Sequence, residues 1–132
     1  MRKLLLLIPF ALLLAGCGGT SGGTNNPNQG HLGETAGVVG NKVTVILKDF
    51  TITPAAITLP KTGTYTFELH NEGAQLHSLK IVGNGLTARG KDINFGKNSS
   101  FTVDFKKAGS YDMYCPVDSH KDLGMTGTIT VG

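Results

Sequence analysis

The chain has 132 residues, twelve of them basic and nine acidic, with two cysteines and no tryptophan. That length allows one domain with a modest core. The small surplus of positive charge excludes a nucleic-acid binder, because Lys106-Lys107 and Arg89-Gly90-Lys91 are solvated edges and form no clustered basic footprint.

At the start of the chain, Arg2 and Lys3 precede an apolar run from Leu4 to Leu14 and small residues up to Cys17. This is the order of a secretory signal, and the apolar run is too short to span a bilayer. The stretch Leu14-Ala15-Gly16-Cys17 resembles a bacterial lipobox. The resemblance implies that residues 1–16 are a signal peptide and that Cys17 becomes the acylated first residue. The expected location is the cell envelope, lipid-anchored on the extracytoplasmic side, in the periplasm or at the cell surface. Cleavage removes Arg2 and Lys3, so twelve basic residues become ten against nine acidic ones, and the mature protein is nearly neutral.

Residues 17–40 read as a lipidated tether. They are rich in Gly, Ser, Thr and Asn and have no apolar periodicity. A flexible chain of about two dozen residues reaches roughly 25 Å, enough to lift a small domain clear of headgroups. His31, a lone imidazole in this stretch, is given no metal role.

Residues 41–132 read as one all-β domain. In "KVTVILKDF", Val43, Val45 and Leu47 share a face. In "TYTFELHN", Tyr65, Phe67 and Leu69 point inward while Thr66, Glu68 and His70 point outward, and "SSFTVDF" repeats the pattern with Phe101, Val103 and Phe105. Each is a strand with period two. "LHSLKIV" places His77 on the inward side with Leu79 and Ile81, and "GTITVG" closes the chain as a last strand. Turn signals separate these runs: "TPAA", "LPKTG", "NEG", "GNG" and "KKAGS". Seven or eight short strands at this spacing predict a β-sandwich.

An inward histidine needs a partner, and on its own His77 fits a hydrogen-bonded core residue as well as a ligand. The stretch "YCPVDSHKDLGM" adds a second observation. With Cys17 acylated, Cys115 has no cysteine to pair with, and it stands as a free thiol in an oxidising compartment. A loop containing proline then delivers His120, and Met125 follows before the last strand. Alone, Met125 would fit core packing. Together, a thiolate, two imidazoles and a thioether form a donor set suited to soft copper.

In these residues the chain resembles the type 1 blue copper proteins, the cupredoxins. In that family one histidine follows an Asn/Gly turn, as His77 does in "NEGAQLHSL", and a closing loop supplies cysteine, histidine and methionine. Four residues separate Cys115 from His120 and four separate His120 from Met125, a spacing similar to the auracyanin and rusticyanin type and longer than in plastocyanin or azurin. Tyr114, just before the cysteine, matches the aromatic-rich strand that leads into it. The resemblance implies a Greek-key β-sandwich holding one type 1 copper. His77, Cys115 and His120 would form the trigonal plane, with Met125 as the weak axial ligand. Two positions depart from the common pattern. Ser78 stands where the family often has an Asn that ties the ligand loops together. Pro116 lacks an N–H, so a second amide donor to the thiolate would come from further along, at Val117.

A site with three strong protein ligands leaves no open position for substrate, which points to an electron carrier and not an enzyme. His120, on the loop, is the expected electron port. Pro116, Val117, Leu123 and Gly124 form an apolar rim around it, with Asp118, Lys121 and Asp122 of mixed sign. Such a patch suits brief encounters of a monomer with a cytochrome, a quinol-oxidising complex, a terminal oxidase or a copper reductase. Two other classes use the same residues. One is a copper chaperone or storage lipoprotein, which Met-rich or His-rich tracts would favour, and the other is a metal-free interaction domain of the same fold.

Overall fold

The computed structural model describes residues 37–132. The expected signal peptide, Cys17, His31 and most of the expected tether lie outside the described residues. Ten strands follow in order: β1 (Val38–Val39), β2 (Lys42–Lys48), β3 (Thr51–Thr53), β4 (Ala56–Leu59), β5 (Gly63–Asn71), β6 (Lys80–Gly83), β7 (Leu86–Arg89), β8 (Asn98–Phe105), β9 (Gly109–Tyr114) and β10 (Thr126–Val131). The described residues contain no helix, and so none long and apolar enough to cross a membrane.

The strands form two five-stranded sheets. One runs β1-β2-β5-β8 with β3 also on β2, and the other runs β4-β10-β9-β6-β7. Each sheet is mixed, because β2 lies parallel to β5 and β4 lies parallel to β10 while the other pairs are antiparallel. The expected all-β sandwich is the observed architecture. Inward residues of both sheets merge into one core that includes Val43, Val45, Leu47, Tyr65, Phe67, Leu69, Val103, Phe105, Tyr111, Met113, Ile129 and Val131. Burying each large apolar side chain contributes about 1.5–3 kcal/mol, so period-two alternation is enforced wherever one face of a strand meets this core.

The count of ten exceeds the expected seven or eight because β1 and β3 are two and three residues long and β4 and β7 are four each. Segments this short carry no measurable alternation. They become strands through their partners: β4 through β10, from the far end of the chain, and β1 by pairing Val38 with Val43. The sheet thus takes in Val38 and Val39, which the sequence reading left in the tether, and Val38 is buried.

Two tyrosines close the sandwich at one end. Tyr65 Oη donates to the Lys61 carbonyl at 3.0 Å, and Tyr111 Oη donates to the Lys107 carbonyl at 2.7 Å. Both lie in a Lys-x-Gly-x-Tyr stretch whose glycine has positive φ, +142° at Gly63 and +127° at Gly109. That backbone region disfavours any residue with a Cβ. Tyr65 and Tyr111 both pack edge-on against Phe105, with ring centres 6.1 and 4.9 Å away.

Candidate metal centre

The strands position two loops at the other end. β5 finishes on Asn71, an inward position that holds an amide where the alternation would otherwise place an apolar side chain. Asn71 Nδ2 donates to the carbonyls of Gln75 and Ile93 at 2.8 and 2.7 Å, and Oδ1 accepts from the Gly73 amide at 2.9 Å. These bonds satisfy a buried amide and fold residues 71–75 into a compact turn. His77 then makes an isolated bridge with Ile93, His77 N–H to Ile93 O at 3.1 Å and Ile93 N–H to His77 O at 2.7 Å. His77, Leu79 and Ile81 are all buried, as the parity predicted, but Ser78 is buried as well. Its hydroxyl donates to the Gly90 carbonyl at 2.9 Å. Ser78 therefore ties the first ligand segment to the end of β7.

The second loop follows β9, whose inward residues Tyr111 and Met113 place Cys115 on the same side. Pro116 removes one donor, and the remaining amides close the loop on itself. Cys115 N–H donates to Met125 O at 3.1 Å, Met125 N–H to His120 O at 3.0 Å, and His120 N–H to Val117 O at 3.1 Å. Asp118 and Gly124 turn the chain with φ of +44° and +95°. Backbone bonding thus fixes the spacing of Cys115, His120 and Met125 that the sequence displays.

The side chains converge. Cys115 Sγ lies 3.9 Å from His77 Nδ1 and 3.5 Å from His120 Nδ1. One ligand atom from each of the three residues lies within 4.8 Å of the others, and all three residues are buried. The two imidazole ring centres are 4.9 Å apart. Both outer nitrogens have acceptors, His77 Nε2 with Asp49 Oδ1 at 2.6 Å and His120 Nε2 with Gln75 Oε1 at 3.2 Å. Each outer nitrogen thus faces a group that can accept its proton, and each Nδ1 faces the thiol. Asp49 also receives the amides of Ala74 and Gln75 on Oδ2 and Oδ1 at 2.9 and 3.3 Å. Burial pushes its carboxyl up, but the hydrogen bonds from His77, Ala74 and Gln75 outweigh this and hold it below the ordinary carboxylate value. Phe50 meets the His120 ring edge-on with centres 4.9 Å apart.

The structure thus brings His77, Cys115 and His120 together. Met125 is buried, with its backbone bonded to both Cys115 and His120. His120 is the expected port, yet it is only 3% exposed, because Gln75 and Phe50 cover it. Of the expected rim, Leu123 and Gly124 are exposed, Pro116 is half-buried and Val117 is almost covered; Leu76, which precedes His77 in the chain, is also exposed. Among the described residues, the hydrogen-bonding contacts of Cys115 Sγ are with the two ring nitrogens, and no amide, that of Val117 included, makes one. Sequence reasoning missed Asp49, Phe50, Asn71 and Gln75. Asn71 alone left a trace, as a polar residue at an inward position of a strand.

One soft sulfur and two inner ring nitrogens, buried together with no other polar partner, fit a type 1 copper ion. The fold is similar to that of dithionite-reduced auracyanin from the photosynthetic bacterium Roseiflexus castenholzii, with TM-score 0.64, 19% identity, and coverage of 72% of this chain and 99% of that one. It is similar to auracyanin B, with TM-score 0.64, 17% identity, and coverage of 78% and 96%. Auracyanin A, a "blue" copper protein from the green thermophilic photosynthetic bacterium Chloroflexus aurantiacus, matches with TM-score 0.59, 20% identity, and coverage of 69% and 99%. At these identities the likeness is one of fold. No curated protein matches the chain. The family model of the cupredoxin-like domain matches residues 33–131, and the chain belongs to that family.

Proposed function

We propose that this protein is a mononuclear type 1 copper electron-transfer protein of the cell envelope, tethered to its membrane through acylated Cys17. The observation that carries this reading is the buried cluster of Cys115 Sγ with His77 and His120 Nδ1, both imidazoles already held from behind. Bound copper supplies one-electron chemistry between Cu(I) and Cu(II). The protein's part would be to hold the ion with His77, Cys115, His120 and Met125, kept in one arrangement for both states so that little would have to move. The β5 turn, the Ile93 bridge and the backbone bonds of residues 115–125 supply that rigidity. Burial of all three ligands leaves no open position for a substrate, which supports a carrier and not an enzyme. Electrons would enter and leave near His120, across the rim of Pro116, Val117, Leu123 and Gly124. The partners would be redox proteins such as a cytochrome, a quinol-oxidising complex, a terminal oxidase or a copper reductase, met by a monomer.

The test is to load a soluble chain beginning at residue 36 with copper and record its visible spectrum and voltammetry. An intense blue band that bleaches reversibly on reduction is expected. A colourless, tightly held Cu(I) would point to copper handling, and no stoichiometric copper would leave an interaction domain. The anchor is tested separately in the full chain, where Cys17→Ser should release the protein from the membrane fraction. Two acyl chains hold a protein durably where one does not.

A further inference from the structure

Asp49 is outside both ligand loops, just after β2, yet its carboxylate is aimed at the most deeply buried imidazole. Oδ1 accepts from His77 Nε2–H at 2.6 Å, and the amides of Ala74 and Gln75 hold the carboxylate in that pose. Gly73 closes over the contact. A Cβ at position 73 would sit 2.6 Å from His77 Nε2, 2.9 Å from the Asp49 amide nitrogen, and against Oδ1. The His77 side chain is fully covered while the Asp49 side chain is 28% exposed, so the anion keeps some hydration while its hydrogen bond is sheltered.

The two imidazoles are therefore held differently. His77 donates to an anion at 2.6 Å, and His120 donates to the neutral Gln75 amide oxygen at 3.2 Å. Gln75 joins the two, since its amide bonds Asp49, its carbonyl accepts from Asn71, and its side chain accepts from His120. A hydrogen bond to a charged acceptor is stronger than one to a neutral acceptor. It also makes the imidazole a more basic donor at its inner nitrogen. A negative charge behind one ligand favours the more positive of two redox states.

We propose that Asp49 is a positioning residue which holds His77 with its proton on Nε2 and, through its charge, biases the centre toward Cu(II), keeping the reduction potential down. The proposal rests on the copper reading above for its redox half and on the protein alone for its tautomer half.

The tautomer half is tested in the metal-free wild-type protein by nitrogen NMR of labelled histidine. The expected result is His77 with its proton on Nε2 and slow exchange of that proton. A proton on Nδ1 would overturn the proposal. The redox half is tested by reversible voltammetry of the copper-loaded wild type and Asp49→Asn, which keeps the size and an acceptor oxygen but removes the charge. Asp49→Ser serves if Asn prevents folding. The neutral variants should shift the Cu(II)/Cu(I) balance about tenfold toward Cu(I), or about 59 mV for a one-electron couple, and remain blue. A shift below twofold in a variant that stays blue overturns the redox half. A wild type that takes up no copper or shows no blue band would count against the copper reading, and with it the redox half, while the NMR result stands alone.

Discussion

At the end of the sandwich away from the ligands, the turns into β5 and β9 use the same device. Lys61-Thr62-Gly63-Thr64-Tyr65 and Lys107-Ala108-Gly109-Ser110-Tyr111 each close on a tyrosine hydroxyl bonded to the lysine carbonyl four residues earlier. At the ligand end, each group is held by residues far away in sequence: His77 by Asp49 and Ile93, and His120 by Gln75. A turn that closes within five residues can fail alone and cost only its own bond and strain. A centre held by three separated segments has no such independence, and a change in any one of them reaches the ligands. The far end should therefore govern stability without touching the spectrum, and the ligand end should govern the spectrum with a smaller effect on folding.

The largest effect expected from breaking this division is at Cys115. Cys115→Ser should abolish the blue band while the apoprotein still unfolds in one cooperative transition. Retention of the wild-type spectrum would remove the basis of the copper assignment. His120→Gly should lose colour and regain it with added imidazole, because the gap opens beneath Gln75 and Phe50 at the surface of the site.

Next come the far turns. Gly109→Ala forces a side chain into φ of +127° and brings its Cβ to 3.2 Å from Asn84 Nδ2, whereas at Gly63 a Cβ would meet nothing within 4 Å. Strain of this kind costs about 1–3 kcal/mol at either glycine, and the added contact at position 109 should make Gly109→Ala less stable than Gly63→Ala in chemical denaturation. Tyr111→Phe should lose about 1 kcal/mol. All three should keep the wild-type spectrum and potential when loaded with copper, and a changed spectrum in any of them would show that the two ends are coupled.

Met125 lies on the boundary of the comparison, buried like a core residue and bonded through its backbone like part of the ligand loop. Met125→Leu keeps a similar volume, so its stability should change by less than about 1.5 kcal/mol. If Met125 donates to the ion, the potential should rise, because the oxidised state would lose a donor. Met125→Gln, with a harder oxygen donor, should lower it. An unchanged potential in both variants would make Met125 packing only.

The smallest effect belongs to the outward face. The hydrogen bond and charge of Glu68, 2.9 Å from Lys42 Nζ, hold the Lys42 ammonium above its ordinary value, and burial opposes this weakly. A raised folded value means that the contribution is fully present below the ordinary lysine range and is lost as pH rises through the raised value. Melting curves of wild type and Lys42→Met should therefore converge in strong alkali and in high salt, since exposed pairs are screened. A difference that grew with pH would contradict the sign.

The inward faces of β2, β5 and β8 were legible in the sequence because burial of one strand face writes itself locally, as Val43-x-Val45-x-Leu47 and Tyr65-x-Phe67-x-Leu69 do. The ligand residues were legible for another reason. A free cysteine, a histidine and a methionine, with four residues between each and the next, are scarce side chains with a shared preference for one metal. The repeated Lys-x-Gly-x-Tyr stretches were present in the same letters, but a tyrosine hydroxyl says nothing about its acceptor until the chain has turned. Strands β1, β3, β4 and β7 were invisible because each is defined by its partner and is too short to carry a period. Tertiary structure alone decided what stands behind the ligands. Asp49 reaches His77 across 28 positions and Gln75 reaches His120 across 45. Amino-acid type determines which atoms can bind a metal, whereas the second hydrogen bond of each imidazole depends on which loops the sheets bring to the same end.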